Sequence, residues 1–285
     1  MATLRDIRRR IRSVKNTQQI TRAMKMVSAA KLRRAQAALI SARPYALAMQ
    51  EVLRRVAART DEGLHPFLVK REGKRRAYLV VTADRGLCSG FNANLIRKAV
   101  KVMQANGDEL PMIFAVGRKG RDYFKRRKYP LVGDFTGLGD NISFKQAQAI
   151  GETLRDLYLA NLVDEVWLVY PHFINPLVQR QEAVQILPIV GSHAEKDKLG
   201  AEYLFEPSSD EVLEHLLPRH INTLVYRTLL EAKAGEHGAR MTAMDAATNN
   251  ADDMIKRLTL KYNRARQASI TREISELVAG AEALK

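Results

Sequence analysis

The sequence predicts an α/β protein in which the two ends of the chain form a long antiparallel coiled coil. Residues 1–60 and 209–285 carry apolar residues at helical spacing, whereas residues 74–190 alternate short apolar runs with helical stretches. We therefore expect an N-terminal coiled-coil helix, a central Rossmann-like α/β domain and a C-terminal coiled-coil helix over these three ranges. Paired helices from distant termini form a shaft, which favours mechanical coupling over chemistry.

The N-terminal helix has a seam in which apolar and small residues recur every three or four positions, as in a coiled coil. Gln18 and Lys25 are polar positions within that seam, and Pro44 is expected to bend the helix. The seam residues are Ile7, Ile11, Val14, Thr21, Ser28, Leu32, Ala35, Leu39, Ala42, Ala46, Met49, Leu53 and Val56.

A second apolar stripe lies beside the seam, at Ile20, Ala23, Met24 and Val27. It predicts that the middle of the helix has two contact faces, one for the partner helix and one for another molecule. The alternative is a wider core face on a bundle helix.

The central segment follows a linker at 61–76 and predicts a sheet covered by helices. Strands are expected at 77–83, 112–116 and 165–170, with an edge strand at 178–187. Helices are expected at 91–105, 118–127 and 144–159. Any enzymatic site would have to lie in this segment.

The signals for a catalytic, cofactor or metal site in that segment are weak. Gly86 and Gly90 follow a strand and precede a helix, but neither a Gly-x-Gly-x-x-Gly motif nor a Gly-Lys-Ser/Thr motif is present. The six histidines are scattered without metal-ligand spacing. Asp84 is interpreted as a helix cap or a brace for the turn. We predict no catalytic residue, cofactor or metal.

The C-terminal helix is expected to start at Ser208 or Ser209, to bend at Pro218, and to be softened by Gly235 and Gly238. Its last residues, Leu277–Ala281, are small and apolar rather than charged, which predicts an apolar sleeve supplied by a partner; a frayed tail is the alternative. Its seam is expected at Met241, Met244, Thr248, Ile255, Leu258, Tyr262, Ala265 and Ile270.

The charge of the chain is unevenly distributed. The net charge is +16, and residues 1–60 hold fifteen basic residues against two acidic ones, a net +13, whereas residues 209–285 are neutral. Such a basic stripe attracts phosphate backbones, acidic membranes or an acidic protein surface, or else it is a solvated face. No apolar run approaches the roughly 18 residues of a membrane span, and no signal region is evident. The single Cys88 excludes an internal disulfide.

Three segments carry a resemblance to a known family. Ile20–Ser28, Asp84–Asn92 and Ile270–Ala281 resemble the gamma subunits of F-type ATP synthases, in the same order and across essentially the whole chain. Ser89 departs from the glycine of many relatives, within a turn. The regulatory dithiol insertion of the chloroplast form is absent.

The resemblance implies a rotor at the cytoplasmic face of the cell membrane, without a cofactor of its own. Its coiled coil would lie inside a ring of three alpha and three beta subunits, and its α/β domain would form a foot on the c-subunit ring beside epsilon. By similarity, six residues would contact the beta subunits or brace the shaft: Met24, Lys25, Arg240, Gln267, Thr271 and Glu273. The tip that turns in a sleeve would be Leu277, Val278 and Ala279, and the foot would touch the c ring or epsilon at Tyr203 and Glu206.

Two other functions compete with this one. A nucleic-acid-binding coiled-coil protein would explain the basic helix and would bind with strong salt dependence. A nucleotide-dependent enzyme would use residues 77–190 and would bind nucleotide there.

Overall fold

The computed structural model describes residues 3–57, 65–71, 73–108, 111–189 and 209–282. They form long first and last helices, of 54 and 74 residues, with a five-stranded sheet and three shorter helices between. In chain order the elements are α1 Leu4–Ala57, β1 Arg76–Val81, α2 Phe91–Ala105, β2 Met112–Val116, α3 Arg118–Arg126, β3 Leu131–Phe135, α4 Phe144–Leu159, β4 Glu165–Phe173, β5 Gln179–Leu187 and α5 Ser209–Glu282.

The chain divides into two compact units. Unit 1 combines residues 1–28 with 241–285, and unit 2 spans residues 29–240. The α/β fold with long terminal helices is confirmed. α1 continues through Pro44 and α5 through Pro218. At about 1.5 Å per residue, α1 is about 81 Å long. Among the described residues, no helix combines the length and the apolar character needed to cross a membrane.

Unit 2 is built on a mixed sheet with the strand order β3-β2-β1-β4-β5. β1, β2, β3 and β4 run parallel, and β5 pairs antiparallel with β4 at one edge. Val80 of β1 lies opposite Ala115 on one side and Val169 on the other. β1 is a near-continuous apolar run because both faces of a parallel sheet are covered.

Helices cover both faces of this sheet. On one face, Tyr78, Val80 and Ile113 pack against α2 and against Phe124 of α3. On the other face, Leu79, Val81 and Phe114 share a core with α4 and with the part of α5 that lies in unit 2. Because β1 to β4 run parallel, their carboxyl ends lie at the same edge of the sheet, where an α/β protein would bind a ligand.

The sequence predicted the helices and four of the five strands, β1, β2, β4 and β5, closely but missed the edge strand β3. α2, α4 and β2 occupy the predicted residues, and β5 is the predicted edge strand. β3 contains Gly133 and Asp134, which disfavour strands, and its residues are only half-buried or exposed. A Cβ on Gly133 would lie 3.0 Å from the Phe114 ring, so the glycine allows the strand to approach its neighbour.

Gly235 and Gly238 have a packing role in the structure rather than marking a break in α5. A Cβ on Gly235 would lie 3.1 Å from the ring of Phe91, and one on Gly238 would lie 3.1 Å from the backbone of Pro176. Both distances are tighter than ordinary contacts, so a larger residue would push α5 away from its neighbours in unit 2. Helix α5 is continuous across both glycines.

Candidate functional site

Unit 1 is an antiparallel helical pair joined by polar side chains across its seam. Lys25 is paired with Asp245, Thr248 donates a hydrogen bond to Thr21 at 2.8 Å, and Gln18 donates one to Asp252 at 3.3 Å. A guanidinium nitrogen of Arg8 donates to the hydroxyl of Tyr262. From Arg8 to Lys25, α1 advances 17 residues while α5 runs back 17, from Tyr262 to Asp245. The equal steps establish one antiparallel register throughout.

The predicted seam is confirmed by burial. In unit 1, Ile7, Thr21 and Ser28 of α1 are buried, as are Met244 and Ala251 of α5. Gln18 and Lys25, the polar positions predicted within the seam, supply two of the four links between the helices. Ala251 was missed because alanine carries little weight in an apolar pattern, and Ile270, predicted as a seam residue, is exposed.

The second stripe on α1 faces outward. Ile20 is 60% exposed and Val27 54% exposed, Ala23 is exposed, and Met24 is half-buried. These residues do not belong to a wider core face within unit 1, so that alternative is wrong. The predicted second contact face is available to another molecule.

The end of α5 extends beyond the paired part of α1. The register places Leu4, where α1 begins, beside residue 266, so residues 267–282 have no partner helix among the described residues. Every residue from 270 to 281 is exposed, and Leu277 exposes 74% of its surface. Ile270, Ile274 and Leu277 follow the i, i+4, i+7 spacing of a single helix face.

A cluster of exposed cations surrounds the pair just before this unpaired end. We call it the basic collar; its α1 members belong to the basic stripe that the sequence predicts, whereas its α5 members are not evident from charge counts. The count of charges over 209–285 is neutral, which hides the separation of cations from anions along α5. The antiparallel register places the basic stretch of α5, residues 257–266, beside the first turns of α1, where Asp6 is the acidic residue. The collar consists of Arg5, Arg8, Arg9, Arg10 and Arg12 on α1 and Arg257, Lys261, Arg264 and Arg266 on α5.

In unit 2, the turn after β1 is held by two charged side chains. The carboxylate of Asp84 accepts hydrogen bonds from the backbone N–H groups of Arg118, at 3.0 Å, and Gly137, at 3.1 Å. The structural interpretation of Asp84 is confirmed, although the helix that it caps is α3 rather than the next helix, α2. Arg240 donates two hydrogen bonds of 3.2 Å to the carbonyl of Gly86.

This turn occupies the position of a phosphate loop but leaves little space for a ligand. The cavity between the ends of β1 and β2, lined by Thr82, Asp84 and Gly117, has a volume of about 10 Å³. That is room for about one water molecule. The nearby Cys88 is buried, and burial raises the pKa of its thiol, so thiolate chemistry is disfavoured. Within the described ranges, no group of three or more potential ligands could hold a metal ion.

A second charged cluster in unit 2 surrounds His237, which is 2% exposed. Burial lowers the pKa of its imidazole, which favours the neutral form. Burial acts to raise the pKa of Asp140, but a hydrogen bond from Lys31, at 2.7 Å, and the nearby His237 reverse the direction and lower it. Lys31 and Asp140 balance each other's charge beside the buried imidazole, which is typical of a structural network.

Comparison with known proteins agrees with these features. A family model described as "ATP synthase" matches residues 3–284. The ATP synthase gamma chain of Desulforamulus reducens is 55% identical over the full length of both chains.

The chain belongs to the ATP synthase gamma chain family.

Other family members and solved structures are also similar. The gamma chain of Pelotomaculum thermopropionicum is 53% identical over all of both chains. A chain from the central stalk and c-ring structure of the Tetrahymena thermophila mitochondrial ATP synthase has a TM-score of 0.62 and 25% identity, with 80% of this chain and 99% of that chain covered. A chain from the Euglena gracilis OSCP/F1/c-ring structure has a TM-score of 0.70 at 20% identity, with 99% and 94% covered, and supports the fold.

The gamma-family site residues fall in separate places. Gln267 and Thr271 are exposed on the unpaired end of α5, as is Glu273, whose carboxylate accepts a hydrogen bond from Ser269 at 3.1 Å. The same unpaired end carries the tip residues Leu277, Val278 and Ala279. Met24 and Lys25 lie on α1, and Lys25 is already engaged with Asp245.

Arg240 differs from the other predicted contact residues. Its side chain is buried, and besides Gly86 it pairs with Glu236 at 2.7 Å. A guanidinium held this way favours a bracing role within unit 2 over direct contact with a beta subunit. Tyr203 and Glu206, the predicted foot contacts, lie outside the described residues.

Proposed function

We propose that the chain is the central rotor of an F-type ATP synthase. It would couple proton-driven rotation of the membrane c ring to the conformational cycle of the catalytic beta subunits, in ATP synthesis or hydrolysis. Unit 1 would turn inside three alpha and three beta subunits, and unit 2 would contact the c ring and epsilon. The complex would place the chain at the cytoplasmic face of the cell membrane as a peripheral subunit.

The observation that carries the proposal is the end of α5. The antiparallel pair stops at the start of α1, and α5 continues alone with Ile270, Ile274 and Leu277 exposed on one face. Apolar side chains on an isolated helix in water lose the stabilisation that burial would give, about 25 cal/mol for each Å² of apolar surface. Enclosure of this end by a ring of subunits supplies that burial without any specific polar bond, so the end is free to turn.

The site residues have two proposed roles. Met24 and Lys25 on α1, with Gln267, Thr271 and Glu273 on the unpaired end of α5, would contact loops of the beta subunits. Their exposure or partial exposure supports this role. Arg240 would instead brace α5 against the turn at Gly86, because its guanidinium is already bonded there.

Coupling requires that the rotor present different contacts to each beta subunit. The pair in unit 1 is asymmetric: α1 carries the exposed stripe at Ile20 and Val27, whereas α5 alone forms the end. Each orientation would therefore stabilise a different conformation in each of the surrounding subunits. Such differential interaction is what shifts a conformational equilibrium.

The chain itself would be non-catalytic and would bind no cofactor. The small cavity at the ends of β1 and β2, and the attachment of the turn at Gly86 to Arg240, support this part of the proposal. Titration calorimetry of the purified chain with Mg-ATP tests it. We expect no stoichiometric binding; a micromolar site abolished by Asp84→Ala would overturn the non-catalytic assignment.

Reconstitution tests the rotor role. The purified chain is mixed with the alpha and beta subunits of an organism whose ATP synthase gamma chain is similar to this one, and the complex is isolated by gel filtration. We expect a complex with one copy of the chain and an ATPase activity that depends on it. The nucleic-acid alternative instead predicts tight, salt-sensitive DNA or RNA binding by the free chain and no such complex.

A further inference from the structure

Unit 2 has a second basic surface that the rotor role does not use. Residues 91–105, which form α2, and residues 118–128, which include α3, hold ten lysines and arginines against one acidic residue, Asp122. The net charge of these two stretches is +9. The central segment as a whole hides this excess because acidic residues elsewhere in it offset most of the charge.

The two helices present these charges on one face of the sheet. Ile96, Ala99 and Met103 of α2 and Phe124 of α3 are buried in the same core, against Tyr78 and Val80 of β1. We call the outward side of this layer the α2–α3 basic face. Its exposed members are Arg97, Lys101, Arg118, Lys119, Lys125, Arg126, Arg127 and Lys128.

Little within unit 2 neutralises this face. Asp122 is paired with Arg121 at 2.9 Å, and Arg118 lies 3.7 Å from Asp84. Among the described residues, Arg97, Lys98, Lys101, Lys119, Lys125 and Lys128 have no ion-pair partner. The described parts of α2 and α3 also expose no large hydrophobic side chain. A partner would therefore be held by charge at the surface, not by insertion of apolar groups.

We propose that the α2–α3 basic face adsorbs to the headgroups of anionic phospholipids. Clusters of four to eight lysines and arginines on helices are typical of binding to acidic membrane surfaces, and the attraction acts within about one Debye length. The presence of a membrane near unit 2 rests on the proposed function.

A fluid lipid surface is also compatible with rotation. It is laterally uniform, so attraction to it has no preferred angle about the rotation axis. A structured polyanion, such as a nucleic acid or a fixed acidic protein, would hold the rotor at one angle and oppose turning. A lipid surface therefore suits a rotating subunit better than the other polyanions that would recognise the same charges.

Vesicle flotation with the full chain tests the proposal. The probes are vesicles of phosphatidylcholine alone and vesicles that also contain phosphatidylglycerol. The wild type should float only with the anionic vesicles and should be released as salt is raised. The triple variant Arg97→Gln, Lys101→Gln, Lys125→Gln should bind them about 100-fold more weakly, because each basic residue near such a surface contributes about a factor of five.

A matched variant separates a local site from diffuse charge. Lys70→Gln, Lys145→Gln and Arg180→Gln remove the same charge from other exposed places in unit 2 and should change vesicle binding less than threefold. Equal losses in the two variants, or no binding of wild type to the anionic vesicles, would overturn the proposal. The proposal would also be overturned if the variant Arg97→Gln, Lys101→Gln, Lys125→Gln lost binding to RNA but kept its binding to the anionic vesicles.

Assembly with alpha and beta subunits distinguishes this proposal from the rotor role. Both triple variants should assemble as the wild type does, because none of the replaced residues lies in unit 1. Normal assembly without vesicle binding would refute the lipid contact alone. Failure of the wild-type chain to assemble would refute the rotor role.

Discussion

The ion pair between Lys25 and Asp245 raises a specific question, because the resemblance assigns Lys25 to contact with a beta subunit. In the structure the ammonium group is already paired across the two helices of unit 1. The perturbation that separates the two roles is a charge exchange. We compare Lys25→Glu, Asp245→Lys and the double variant in which both changes are combined.

The structure sets the size of the expected effects on stability. The two side chains are 42% and 45% exposed, so the pair is screened by solvent and contributes at most about 1 kcal/mol. Each single reversal loses that attraction and adds a like-charge repulsion of about 1 kcal/mol at 4 Å in water. Each should therefore lower the free energy of unfolding by about 2 kcal/mol, and the double variant should recover most of it.

Two assays on the same four proteins give the answer. Urea unfolding completes a double-mutant cycle for stability. ATP-driven rotation in the complex with alpha and beta subunits reports function. If the positive charge at position 25 acts on a beta subunit, Lys25→Glu slows rotation, and the double variant recovers stability but still rotates more slowly than the wild type. Full recovery of both properties would show that Lys25 acts only within the chain and would refute its assignment as a contact.

Three further predictions follow from particular contacts. Removal of 277–285 should leave thermal unfolding almost unchanged, because residues 277–282 lie beyond the paired helices, but should make the complex with alpha and beta subunits dissociate sooner. An unchanged rate of dissociation would mean that this end of the chain is only a frayed tail. The hydrogen bonds from Arg75 lower the pKa of the buried Asp164 in the folded chain. Their contribution to the free energy of unfolding is therefore fully present above the pKa of an unfolded aspartate, about 3.9, and is lost as the pH falls through the lower pKa of the folded state. Asp164→Asn should thus lower the free energy of unfolding by about 1–2 kcal/mol at neutral pH. In acid the difference in this free energy between variant and wild type should narrow, and urea unfolding at both pH values measures it. Cys88 is buried and its pKa is raised, so thiol reagents should modify it only on unfolding, and rapid labelling of the native chain would contradict the packing around it.

Helical periodicity explains why the terminal helices and their seams could be predicted. A seam recurs every three or four residues, so Ile7, Thr21 and Ser28 were identified from spacing alone, together with the polar interruptions Gln18 and Lys25. The partners of those interruptions could not be predicted, because Asp252 and Asp245 lie more than 200 residues away along the chain. Antiparallel register depends on which residues meet in space.

The features that were missed have a different physical origin. β3 lacks the β-branched run of the buried strands, and Gly133 is there to accommodate Phe114 rather than to favour a strand. The role of Arg240 depends on the carbonyl of Gly86, a backbone group that carries no sequence signal. The α5 part of the basic collar, and the way in which α2 and α3 share one basic face, were hidden by charge counts over long segments, which average over cations and anions that are separated in space.

Direct observation of rotation tests the central claim. A bead is attached through Lys145→Cys on α4, an exposed position, in a chain with Cys88→Ser, and the alpha and beta subunits of the complex are fixed to glass. We predict that the bead turns in one direction when Mg-ATP is added and stops when ATP is removed. Beads that stay still while the complex hydrolyses ATP at its normal rate would contradict the assignment of this chain as the rotor.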